Sequence, residues 1–269
     1  MLIRLINLYS FAASGIAAII NFPLWRASAI AQSGFKLEGS NFVVRYYKAV
    51  VHPPFRGVVA TMFGMTWARG AIFYGSDLGK SFLKDIGVNS ILCQTLPPFF
   101  IGTIVQIVNM PLVRATITIQ NPSSEFNSVT TALVNIYKTR GISGLWHGTS
   151  AGILKTVPKY ITAVAVKDIM EEKLPQVPHD DKQGILIRSA IKSTAAGIAG
   201  AVLTNPLDVL RNEMFKTDLP LVKTFKNLLQ QEGWAFMGRG VASNTTAVAI
   251  PIAITIFMTD IMLGIKHKE

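Results

Sequence analysis

Apolar residues gather in six stretches, near 5–31, 57–82, 90–119, 148–170, 187–214 and 241–265. Each is close to the roughly 20 residues a helix needs to cross a bilayer. Pro, Lys or Arg interrupts several of them, which predicts that these positions face a bundle interior or a watery cavity rather than lipid. Small residues at helical spacing, Ser10, Ser14 and Ala18 or Ser193, Gly197 and Gly200, allow helix backbones to approach closely. Between paired spans run long loops in which apolar residues recur every three or four positions, over 126–139 and 219–231. That periodicity predicts short amphipathic helices lying at a membrane surface.

Three markers then recur in the same order. The first is an Asn beside a Pro-Leu step: Asn21 with Pro23-Leu24, Asn109 with Pro111-Leu112, and Asn205 with Pro206-Leu207. The prolines stand 88 and 95 residues apart. The second ends on a glycine: Phe55-Arg56-Gly57, Trp146-His147-Gly148 and Gly238-Arg239-Gly240, spaced by 91 and 92 residues. The third is an acid twenty residues beyond each glycine: Asp77, Asp168 and Asp260. Self-similarity at this period signals a repeat architecture. The expected fold is an all-α membrane protein, a single domain of six transmembrane helices in three tandem helix-hairpin repeats, approximately 1–87, 88–184 and 185–269.

Composition narrows the function. Half of the residues are hydrophobic and 15% are charged, with a net charge of +11. Soluble domains carry about 25% charged residues. Basic excess suits nucleic acid or anionic lipid, but no Lys/Arg-rich run with interleaved aromatics is present, which excludes the first. The long loops 33–56, 121–147 and 216–239 hold ten Lys/Arg against four Asp/Glu, and the opposite loops 83–89 and 171–186 hold three against five. Basic loops stay on the inner side of a membrane, so both termini are expected on the other. The single cysteine, Cys93, forms no intrachain disulfide and reads as a small buried filler. The opening Met1-Leu2-Ile3-Arg4-Leu5 lacks a secretory or transit pattern, so targeting is expected to be internal. His52, His147, His179 and His267 are dispersed without metal-ligand spacing, and no phosphate-cradling or nucleophile motif appears. Neither catalysis nor a metal or cofactor is expected.

From about residue 5 to 265 the chain resembles the mitochondrial carrier family, whose odd helices carry Pro-x-acid-x-x-base. Pro206-Leu207-Asp208-Val209-Leu210-Arg211 matches in full, and Asp77-Leu78-Gly79-Lys80 resembles the acid-x-x-base pair that closes an even helix. The resemblance implies an inner-membrane protein with its termini in the intermembrane space. It also implies odd helices kinked by Pro23, Pro111 and Pro206, and charge rings that break and re-form at the two faces. Glutamines resembling the family's brace stand at Gln32 and Gln120, with Phe215 in the third position. Departures are as informative. Trp25 and Val113 occupy the acid positions of the first two repeats, and Ser28 and Thr116 the basic ones. Asp208 would look for a base at Ser28, and Arg211 for an acid at Val113, so the ring cannot form in the family's manner. At the opposite face Asp168 is followed by Glu171 and Asp260 by Leu263, which predicts repulsion or hydration rather than closure. Arg26 and Arg114, one step past the lost acids, have no role legible in the sequence.

Counting seven residues past each even-helix glycine transfers the family's substrate contacts to Gly64, Lys155 and Ala247 or Val248. Lys155 alone among these is suited to bind an anion, and Lys159 and Arg69 are expected to add charge to the same cavity, the alternative being that these cations snorkel to headgroups or pair inside the bundle. The openings at Arg56-Gly57, Gly148 and Arg239-Gly240 offer helix N-termini to an anionic lipid such as cardiolipin. Two functions follow. One is a non-transporting structural or accessory subunit of a larger, respiratory-type inner-membrane complex, in which fold-defining positions persist while gates erode. The alternative is a solute carrier that exchanges a small anionic metabolite.

Overall fold

The computed structural model describes residues 19–36, 39, 41–51, 55–178 and 181–250. Among these every regular element is helical. Helix α1 covers 19–32, α2 Phe42–Val51, α3 Val58–Asp85, α4 Ser90–Gln120 and α5 Val129–Leu145. It continues with α6 Thr149–Lys173, α7 Lys182–Thr217, α8 Leu221–Glu232, a 3-10 turn Gly233–Gly238 and α9 over 241–250. The predicted spans at 57–82, 90–119, 148–170 and 187–214 thus appear as α3, α4, α6 and α7. Much of the first and last spans lies outside the described residues. Among the described residues two helices, α4 and α7, are long and apolar enough by composition to cross a membrane.

The burial pattern is inverted relative to a water-soluble bundle. Buried side chains include Arg26, Gln32, Arg114, Gln120, Asn205, Asp208, Arg211 and Asn212. Exposed ones include Val59, Phe63, Phe82, Phe100, Ile104 and Leu203 on α3, α4 and α7. A polar interior inside an apolar exterior is the arrangement lipid favours. Burial concentrates just beyond Pro23, Pro111 and Pro206, where α1, α4 and α7 converge at the long-loop end. Cys93 is buried on α4 and donates to the Val88 carbonyl.

The long loops fold into the surface helices α2, α5 and α8. α5 begins at Val129 rather than 126, because its N-cap Ser128 forms a reciprocal capping box with Thr131. Even helices α3, α6 and α9 begin after Gly57, Gly148 and Gly240, whose φ angles are +87°, +89° and +73°. This left-handed region costs a side-chain-bearing residue about 1–2 kcal/mol. Each glycine also abuts the odd helix of the next repeat. A Cβ would lie 2.9 Å from Ile119 at Gly57, 2.6 Å from Phe215 at Gly148, and 2.7 Å from the Gln32 backbone at Gly240. Ile119, Phe215 and Gln32 lie eight or nine residues past their prolines, so the three seams are equivalent and the repeats close into a ring.

Candidate substrate site and gates

Lys155 projects from α6 toward α7, where its Nζ lies 2.6 Å from Asp208 Oδ1. The same oxygen takes Arg211 at 2.9 Å, one turn along α7. All three side chains are largely buried. Asp208 therefore has two basic partners, neither of them at Ser28, and Arg211 finds its acid on its own helix. Lys155 of α6 thus supplies Asp208 with a base where Ser28 offers no charge. Arg211 Nε and both amide atoms of Asn212 are buried without a protein partner among the described residues. Lys159 rests its stem over Gly200 of α7 and is exposed. Gly64 sits against Asn109, which donates to its carbonyl at 3.1 Å, and accepts from Trp67 Nε1 at 2.9 Å.

The arginines one step past the lost acids acquire definite roles. Arg26, fully inside, donates through Nε to Gln120 Oε1 at 2.6 Å and through its terminal nitrogen to the Ala49 carbonyl of α2. Arg114 donates to the Gly144 carbonyl near the end of α5 and meets Asp218, the cap of α7, at 2.5 Å. Asp218 also pairs with Arg140 at 2.6 Å. Each arginine thus ties its spanning helix to the surface helix of its own repeat and to the odd helix of the next repeat or its cap. The signal was the repeated Arg itself. Its partners, two carbonyls, a glutamine and a cap residue, are chosen by the fold.

The glutamines keep bracing positions with new partners. Gln120 donates to the Arg56 carbonyl at 2.8 Å, and Gln32 to Asn205 Oδ1 at 2.9 Å. Asn205 in turn donates to the Met237 and Arg239 carbonyls. At the lipid-site candidates, Arg56 donates to the Phe126 carbonyl and keeps a buried, unpartnered Nε. Arg239 is engaged by Glu213 at 3.0 Å and Glu232 at 2.5 Å. At the opposite face the expected repulsion around Glu171 is relieved, because Arg188 and Lys192 of α7 both pair with it. Lys80 lies near the end of α3 and is partly exposed. The side chains of Arg69, Asp77 and Asp168, and all of Asp260, lie outside the described residues.

A cation-lined polar interior, three equivalent glycine seams and proline-centred odd helices can now be compared with known proteins. The mitochondrial carrier protein family model matches residues 93–177. The mitochondrial basic amino acids transporter of Mus musculus is 23% identical over 216 residues, covering 76% of this chain and 69% of that protein. The mitochondrial brown fat uncoupling protein 1 of Bos taurus is 24% identical over 231 residues, covering 74% and 70%. The mitochondrial glycine transporter of Yarrowia lipolytica is 26% identical over 157 residues, covering 52% and 51%. Residues 93–177 thus match the mitochondrial carrier protein family model, and over about three quarters of its length the chain is similar to mitochondrial carriers.

Proposed function

We propose that the chain is a multi-pass inner-membrane solute carrier that exchanges a small anionic metabolite, with Lys155 as its anchor. The observation that carries this reading is the interior triad of Lys155, Asp208 and Arg211. An entering carboxylate or phosphate takes Lys155 and the unpartnered Nε–H of Arg211, while Asp208 keeps the terminal nitrogen of the same guanidinium. Every charge then remains paired through the exchange. That matters because a bare buried ion costs several kcal/mol. The relatives named as transporters of basic amino acids and of glycine support transport over the accessory-subunit reading.

The basic long loops support a matrix location for that face and an intermembrane-space location for both termini. Anionic lipid, cardiolipin among the candidates, is proposed at the even-helix openings, foremost beside Gly57, where Arg56 Nε has no protein partner. Purified protein in liposomes, offered labelled phosphate and small carboxylates against an internal stock, tests the carrier reading. Lys155→Ala should abolish uptake and Lys155→Arg should keep part of it. Unchanged uptake in Lys155→Ala removes the site. Glycine and basic amino acids form a second arm. Their uptake in place of anions would reassign Asp208 as an ammonium acceptor.

A further inference from the structure

We infer that the long-loop gate of this protein is an apolar plug, built by the residues that replace polar ones in the internal repeat. Pairing the three repeats on their prolines sets Trp25 and Val113 opposite Asp208, and Phe215 opposite Gln32 and Gln120. These three replacements come together. Ala29, Met110, Ile117 and Phe215 form one buried cluster, with Trp25 and Val113 packed against it. Each odd helix supplies part of it: α1 gives Trp25 and Ala29, α4 gives Met110, Val113 and Ile117, and α7 gives Phe215. The ring of Trp25 stacks on Phe22 at 5.5 Å, and the Arg114 guanidinium lies 5.8 Å over the Phe215 ring. Phe215 is also pressed by Gly148, where no Cβ would fit.

The plug begins at the level of Asp208 and runs about two turns farther toward the long loops, since Phe215 follows Asp208 by seven residues. Its Phe215 end therefore lies between the interior triad and the long-loop face. An apolar constriction blocks hydrated ions by dewetting, with no charge pair needed. Its closure should be insensitive to salt, because it contains no exposed pair to screen. The inference rests on the carrier reading, since a gate presupposes passage.

The test is potassium chloride leak from liposomes that hold the full-length protein, measured at low and high salt beside anion uptake. Wild type should be tight at both. Trp25→Ala and Phe215→Ala should raise the leak by about tenfold or more, the ratio given by a modest loss of barrier. Trp25→Phe and Phe215→Leu should stay tight. Asp208→Asn should lose uptake without leaking. Equal tightness in every variant, or a leak in Asp208→Asn as large as in Trp25→Ala, overturns the plug. Where an alanine variant does not fold, Ile117→Cys in a Cys93→Ser background serves. It should resist an impermeant thiol reagent added on the long-loop side, and rapid modification there refutes a dry gate. Leaky alanine variants beside a wild type that takes up no anion would sink the carrier reading and leave the barrier standing. Uptake with uniformly tight variants would do the reverse.

Discussion

At the residue scale, the buried cations are held by what lies around them, and His147 reports on one of them. Its Nε2 donates to the Leu219 carbonyl at 3.1 Å at the opening of α6. Burial, and after it the nearby Arg114 charge, pushes its pKa below the ordinary 6.5. The folded protein thus favours neutral His147. Above the unfolded value the histidine is neutral in both states, so its contribution is fully present there. As the pH falls through 6.5 the unfolded chain takes up a proton that the folded one refuses, and stability drops until the lower folded value is reached. Thermal melts in detergent between neutral pH and about pH 5 should show this loss, and His147→Gln should flatten it. An identical slope in the variant would assign the loss elsewhere.

At the element scale, each spanning helix must satisfy its own backbone, and a proline leaves one carbonyl without its helical donor. In α4 that carbonyl belongs to Ile107, four residues before Pro111. Trp146 Nε1, from the end of α5, donates to it at 2.9 Å. One aromatic of the repeated marker thereby serves a proline of the other marker in the same repeat. Trp146→Phe keeps a ring but removes the donor. It should cost about 1 kcal/mol, toward the lower side because Trp146 is partly exposed. Equilibrium unfolding of the two proteins in the same micelle measures it, with no change expected from Trp234→Phe, which makes no such bond.

At the scale of the whole molecule, the three repeats are held as a ring by their glycine seams, and the seam between the third repeat and the first closes it. At Gly240 a Cβ would meet the Gln32 nitrogen at 2.7 Å and the Ala31 carbonyl carbon at 3.0 Å, both backbone atoms that cannot swing aside. Gly240→Ala should therefore cost at least about 2 kcal/mol and loosen the third repeat from the first. Protease resistance of 205–240 and the melting temperature should fall together. At Gly87, also left-handed but with open space around it, an alanine should cost only the backbone term. Equal losses at both positions would mean that the seam contributes nothing. The same convergence brings the replaced residues of the repeats together. Trp25, Val113 and Phe215 meet because the helices already converge.

Much of this was open to reading along the chain. Period and marker spacing predicted the spans that appear as α3, α4, α6 and α7 and the long-loop surface helices, because these follow from local periodicity, while Lys155 was picked out by the family resemblance. The pairing was not open to it. Lys155 with Asp208 joins positions 53 residues apart, Arg114 with Asp218 joins 104, and Gln32 with Asn205 joins 173. A sequence comparison registers Trp25 and Val113 as lost charges and Glu171 as an unbalanced one. Only the folded bundle shows that the first two meet Phe215 in one apolar cluster and that Arg188 and Lys192 hold the third. Local patterning decides which face of a helix is buried, and ring closure decides which faces meet, because contact energy depends on distance in space rather than along the chain.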